Sequence, residues 1–195
     1  TTLHAGGKFS GKAYATSGGL HGVGASVVNA LSSELTIEIA RDKILYKQQF
    51  SRGKPLGPLN EIGSASNRRG TSVSFTPDTE IFGDNANFRP ATLFRMARSK
   101  AYLFAGVEIR WRCDSSLLAT DDQTPTETNL HYPGGLADYL TDATTDKAVM
   151  ISTPFAEIAE LDGQKFEWAI TWLGPGEDAF FQSYCNTVPT PSGGT

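Results

Sequence analysis

The chain has 195 residues, 39% of them hydrophobic and 19% charged, and a formal net charge of -4. That composition belongs to a folded, soluble domain, and the acidic balance excludes a body built as a nucleic-acid surface, which needs clustered Lys and Arg. The two cysteines, Cys113 and Cys185, have no CxxC or Cys/His spacing, so neither a disulfide framework nor a zinc site is expected and an intracellular setting fits.

Residues 1 to 24 contain His4, Gly6, Gly7, Lys8, Gly11, Gly18, Gly19, Gly22 and Gly24, a glycine density that reads as a long functional loop. Val27, Val28 and Leu31 recur at helical spacing, so a helix is expected over 25–32, starting at the last glycines. Leu35, Ile37 and Ile39 alternate with polar residues, and Ile44 to Phe50 follows a turn at Arg41-Asp42-Lys43, which makes a hairpin. Gly53, Pro55, Gly57 and Pro58 punctuate the chain before a third strand at Thr71, Val73 and Phe75. A helix is expected from Pro90, with Leu93, Ala97, Ala101 and Phe104 on one face, and then a strand through Val107, Ile109 and Trp111.

Residues 113–128, rich in Ser, Thr, Asp and Pro, read as a linker, which places a domain boundary near Thr126. Beyond it Gly135 to Ala143 reads as a helix and Val149 to Phe155 as a strand. Asp162-Gly163 is a hairpin turn before Phe166, Trp168, Ile170 and Trp172. No stretch approaches the ~20 apolar residues that cross a bilayer, and the opening residues lack signal-peptide order. Thr1 without a methionine and the closing Ser192-Gly193-Gly194-Thr195 give the expectation that both ends are cuts.

The chemistry-bearing run is Ser17-Gly18-Gly19-Leu20-His21-Gly22-Val23-Gly24-Ala25, which leads into Ser26-Val27-Val28-Asn29-Ala30-Leu31. Glycines let backbone approach phosphate oxygens, and the free N–H groups of a helix start favour negative charge. The run suits a polyphosphate, although a glycine loop before a helix is also a common turn. A Walker loop is excluded because Gly7-Lys8 is followed by Phe9 and lacks the upstream glycine. A dinucleotide fingerprint is excluded because Gly22-Val23-Gly24 lacks the third glycine.

The full string resembles the ATP lid and glycine motif of the GHKL ATPases. Leu3-His4-Ala5-Gly6-Gly7-Lys8-Phe9 with Ser17 to Leu31, followed by Arg69-Gly70-Thr71, resembles the type II topoisomerases within that superfamily, over essentially all 195 residues. Ser10, Asn67 to Val73, Gly106 to Ile109 and Ser183 to Pro191 look more like topoisomerase IV than gyrase, which remains the runner-up. The resemblance implies an α/β fold of the layered α+β sandwich type: residues 1–125 as the later part of a GHKL ATPase domain, and 126–195 as the beginning of a transducer domain.

It also implies that Gly19, Leu20, His21, Gly22, Val23, Gly24 and Ala25 hold the triphosphate of ATP, chiefly through backbone N–H groups. Tyr14 corresponds to a tyrosine on adenine, or is a packing aromatic; Lys8 corresponds to a lid lysine near the phosphates, or is solvated. Thr71 corresponds to a threonine beside the adenine-reading aspartate, or is an ordinary strand residue, and Arg41 lies at the pocket's edge or in a solvated turn. Ala15 stands where gyrase can have a lysine, so that phosphate contact is not carried over.

By the same resemblance the general-base glutamate, the Mg2+-holding asparagine and the adenine-reading aspartate precede the lid, and a γ-phosphate lysine follows Thr195. No catalytic or metal-binding residue is therefore assigned within the chain, and the chain alone is expected to lack turnover. The implied cofactors are ATP and Mg2+. The implied partners are DNA through the intact enzyme, the A subunit of topoisomerase IV, and a second copy through ATP-driven dimerisation, in the bacterial cytoplasm at the nucleoid and without a membrane. The rival reading is a nucleotide-binding or inert fragment.

Overall fold

A computed structural model describes residues 22–84, 86–191 and 193. The chain divides into two compact units, residues 1–87 and 88–195. Among the described residues no helix is long and apolar enough to cross a membrane.

In the first unit, α1 (Gly24–Ala30) leads into β1 (Ser32–Arg41), β2 (Ile44–Ser51), β3 (Lys54–Pro55), β4 (Asn60–Ser64), β5 (Gly70–Pro77) and the single-turn α2 (Thr79–Phe82). The strands form one antiparallel sheet in the order β3-β2-β1-β5, with β4 also paired to β2. The alternation in the sequence sets the register: Leu35, Ile37 and Ile39 face Phe50, Gln48 and Tyr46 on one side and Phe75, Val73 and Thr71 on the other. Side chains opposite one another in a ladder share a face, so these nine residues line one surface. Leu35 is its most buried member, at 3% exposure.

Both hairpins on β2 turn in two residues with positive φ: Asp42 and Lys43 at 53° and 65°, Arg52 and Gly53 at 50° and 79°. Such turns carry the twist that joins adjacent antiparallel strands. The expected helix and three strands are present. The sequence reading missed β3, β4 and α2, whose positions are mostly exposed and carry no apolar alternation.

α2 exists because Asp78 caps it: its Oδ1 accepts the Glu80 N–H at 3.1 Å. The same carboxylate is 2% exposed and meets Arg52 in two-point fashion, Nε to Oδ2 at 2.6 Å and Nη2 to Oδ1 at 3.2 Å. Arg52 also reaches Glu80 Oε1 at 2.5 Å. The turn arginine of β2–β3 thereby holds the end of β5.

The second unit opens with α3 (Pro90–Leu103), with proline at its start, followed by β6 (Glu108–Arg112), β7 (Glu127–His131), α4 (Leu136–Ala143), β8 (Phe155–Leu161), β9 (Gln164–Ile170), β10 (Tyr184–Cys185) and β11 (Val188–Pro189). Its core is Ala101, Tyr102, Leu130 and Tyr132, with Phe94, Ala97, Ile109, Leu136, Tyr139 and Tyr184 packed around them. The buried face of α3 therefore includes Ala97 and Ala101 as expected. Phe94 and Tyr102 join them, and Leu93 is left 37% exposed.

Residues 113–128, read as a linker, run from the end of β6 into the first residues of β7, and these two strands pair with each other from Glu108↔His131 to Arg112↔Glu127. Cys113 N–H and Trp111 Nε1 close this loop onto Thr126 and Pro125 carbonyls. The two compact units part elsewhere, between Asn87 and Phe88. The strand expected over 149–155 is absent: Val149 makes one bridge to Leu173, and the strand proper begins at Phe155. Pro154 removes the donor that would have continued the ladder. The expected turn is present, with Asp162 and Gly163 at φ 51° and 74° joining β8 to β9, and Trp172 lies beyond the end of β9.

Two outcomes are expected. The hydrogen bonds from Arg52 hold the Asp78 carboxyl below the usual carboxylate range. A depressed native value stabilises the fold above the unfolded-state pKa, and that stabilisation is lost as pH falls through the native one. Asp78→Asn should lower the thermal midpoint at neutral pH, by a margin that shrinks towards zero in strong acid; a deficit of constant size at every pH would contradict this. Leu130→Ala, which empties the core beside Ala101, should cost about 2–5 kcal/mol in denaturant unfolding.

Candidate functional site

Of the glycine run, the structure describes Gly22, Val23, Gly24 and Ala25. Gly19, Leu20, His21, Tyr14 and Lys8 lie outside the described residues. Gly22 has φ 65°, the left-handed region that favours glycine, and turns the chain into α1. Val23 occupies the cap position without a side-chain hydrogen bond, and the helix begins when Val27 N–H reaches Val23 O at 2.9 Å. The first-turn N–H groups of an α-helix have no acceptor within the helix, and among the described residues no capping side chain and no first-turn carboxylate competes for them.

Gly22, Gly24 and Ala25 are exposed. A Cβ built on Gly24 would meet nothing within 4 Å, and its backbone lies outside the left-handed region. Neither packing nor conformation among the described residues calls for glycine at that position.

The other end of α1 is held firmly. Ser32 Oγ donates to Val28 O at 2.6 Å, and Leu31 N–H to Val27 O at 3.0 Å. Asp78 N–H donates to Leu31 O at 3.0 Å, and Arg52 N–H to Ser32 O at 2.9 Å. The two residues of this ion pair, a buried carboxylate and a half-exposed arginine, therefore also clamp, through their own backbones, the junction where α1 passes into β1. The sequence reading missed both residues. The one local signal is Asp78-Thr79-Glu80, an Asp followed by a carboxylate in a short first turn.

Thr71 is exposed on β5 and pairs with Ile39, at the opposite end of the β1–β5 ladder from Ser32. Among the described residues no side-chain hydrogen bond engages it. Arg41 is 78% exposed, and its one ion pair among the described residues is with the neighbouring Asp42 carboxylate at 3.4 Å, as suits a solvated turn residue. Within the second unit, a depression of about 330 Å³ between α4 and the β8–β9 hairpin, lined by Leu136, Ile158, Glu167 and Trp168 among others, holds none of the residues selected from the sequence. Among the described residues no group of three His, Cys, Asp or Glu is placed to hold a metal ion.

The family model for DNA gyrase B matches residues 135–195. The B subunit of DNA topoisomerase 4 from Caulobacter vibrioides is 56% identical across the whole chain, and that from Bartonella bacilliformis 51%; the chain spans 28% of each. The corresponding Escherichia coli protein is 40% identical over 99% of the chain and 29% of its own length. Two solved structures share the fold. The 43K ATPase domain of Thermus thermophilus gyrase B, in complex with an aminocoumarin, has a TM-score of 0.67 at 31% identity over 86% of this chain and 43% of that one. The B-subunit of DNA gyrase from Myxococcus xanthus has a TM-score of 0.71 at 26% identity over 85% and 46%. The chain thus spans less than a third of the length of the curated relatives, and with identity of this order along its whole length it belongs to the family of type II topoisomerase B subunits that includes those of topoisomerase 4 and gyrase.

Proposed function

We propose that this chain forms the phosphate-gripping part of an ATP site in a topoisomerase IV-type B subunit, whose ATP binding and hydrolysis drive passage of one DNA duplex through another. The observation that carries the reading is the 56% identity to a topoisomerase 4 B subunit along the whole chain. Identity to the two gyrase structures is lower, 31% and 26%, which favours the topoisomerase IV branch.

In this reading Gly19 to Ala25 wrap the triphosphate with backbone N–H groups, Leu20 and His21 close the lid, Tyr14 lies against adenine, and Lys8 offsets phosphate charge. Thr71 is the weakest assignment, because its exposed hydroxyl engages nothing among the described residues. Gly24 is the strongest, because its missing side chain is explained by an incoming phosphate and by nothing described in the fold. What these residues do is bind and orient; positioning and charge neutralisation are the main levers of phosphoryl transfer. The described residues offer no cluster that fits Mg2+.

The ATPase-domain part is taken to end near Thr126, with a transducer part after it. The start of the gyrase B family model at residue 135 supports that division. Partners in this reading are DNA, the enzyme's A subunit, and a second copy of the ATPase chain drawn in by ATP.

Gly24→Ala separates nucleotide binding from folding. Alanine is the better helix residue by about 1 kcal/mol, so the thermal midpoint should hold or rise. Affinity for a non-hydrolysable ATP analogue, measured by calorimetry, should fall by roughly tenfold or more, as expected when a side chain blocks close approach to phosphate. Equal affinity in the two proteins would overturn the assignment of this glycine.

A further inference from the structure

We propose that residues 182–190 form a detachable strap, latched onto α3 by Lys100 and Tyr102, which can lift away while the rest of the second unit stays folded. The strap contains the hairpin of β10 and β11, two residues in each strand, closed by Asn186 and Thr187. Hairpins this short do not hold their shape in water unaided. Internally it has Ser183 Oγ on Thr190 O at 2.8 Å and Thr190 N–H on Ser183 O at 2.9 Å.

The described attachments to α3 come from two side chains close together near the end of the helix. Lys100 Nζ donates to Thr187 O at 2.6 Å and to Thr187 Oγ1 at 3.0 Å. Both acceptors are neutral, no carboxylate pairs with the ammonium among the described residues, and burial pushes its pKa down. The Tyr102 hydroxyl meets the Tyr184 hydroxyl, and both approach Gln182 Oε1, at 3.2 Å and 3.0 Å.

A third phenol, Tyr139 of α4, approaches the same oxygen at 3.4 Å. A carbonyl oxygen has two lone pairs, so three phenols compete for two places, and Tyr102 and Tyr184 can exchange the roles of donor and acceptor between themselves. Tyr102 keeps its other partners whichever arrangement holds. Its ring stacks on Tyr139 at 3.9 Å and packs edge-on to Tyr132. α4 is also tied to α3 independently of the strap, through Arg98 and Asp142 at 2.5 Å, with Tyr132 Oη on the same carboxylate.

The apolar grip of the strap is slight by comparison. Val188 is 49% exposed and Gln182 is exposed, which leaves the Tyr184 ring, edge-on to Tyr102 at 6.0 Å, as its hydrophobic anchor. A segment with few buried apolar contacts and a set of polar bonds opens locally at lower free energy than the core it rests on. Lifting it would uncover the Lys100 ammonium and the Tyr102 hydroxyl together.

Hydrogen exchange on the full chain, without nucleotide, tests this. Lys100→Met should accelerate exchange of the Thr190 amide and of peptides spanning 183–190 by about tenfold, with amides of α3 and α4 unchanged, because local opening leaves the global unit intact. Tyr184→Phe, which keeps the ring and removes one hydroxyl, should act in the same direction by a smaller factor, and decides alone if Lys100→Met fails to fold. Unchanged protection of 183–190 would overturn the latch. An equal rise across α3, α4 and the strap would overturn detachment, since the strap would then open only with the whole unit.

Discussion

The first unit depends on one buried carboxylate and the arginine that meets it. Asp78 is 2% exposed; a carboxylate removed from water and left unpaired is among the costliest arrangements a fold can contain, so Arg52 must be where it is. Arg52 is the first residue of the β2–β3 turn, and Asp78 lies at the end of β5. Bringing them together fixes which strand ends meet. Their backbone N–H groups then take the carbonyls of Ser32 and Leu31. Four elements converge on this point: the C-terminal end of α1, the start of β1, the β2–β3 turn and the cap of α2. The glycines of the candidate site lie at the far end of a seven-residue helix whose near end is anchored there. A rigid base under an otherwise open glycine turn is what backbone recognition of phosphate needs, because donors that must be reorganised at each binding event lose much of their value.

The parts of this arrangement differ in how far the sequence discloses them. Period-two alternation at Leu35, Ile37 and Ile39 and at Thr71, Val73 and Phe75 marks two strands and groups these side chains on one face, although Val73 and Phe75 stay 52% and 42% exposed. The edge elements β3 and β4 are exposed along their length and carry no such pattern. The strand expected from Val149 is absent because Ser152, Thr153 and Pro154 separate the apolar Val149-Met150-Ile151 from Phe155, and Pro154 has no N–H to give a ladder. Residues 113–128 look like a linker by composition, yet they lead from β6 into β7 and those strands pair with each other, a long-range fact that no local window contains.

The candidate site divides in the same way. Gly22 to Ala25 are selected by residue type alone, which a sequence displays directly. Arg52 and Asp78, 26 positions apart, are not. The pairing that positions the helix is a property of the folded sheet. In the second unit the tyrosines could be counted from the sequence, but not their convergence: Tyr102, Tyr132, Tyr139 and Tyr184 come from one helix, the chain segment after β7, a second helix and the β10–β11 hairpin.

At the tip of that hairpin, Thr187 is β-branched, 6% exposed, and held at φ 69°, a conformation in which such a side chain crowds its own backbone. A glycine would relieve that crowding, but it would also delete the hydroxyl that receives Lys100. The hairpin tip is thus locally frustrated: its residue suits a distant lysine against the preference of its own turn. Conflict of this kind makes the tip sensitive in both directions, since glycine there would leave a more comfortable loop with one less hold on α3. An engineer who optimised the turn alone would improve the hairpin and weaken the assembly it belongs to.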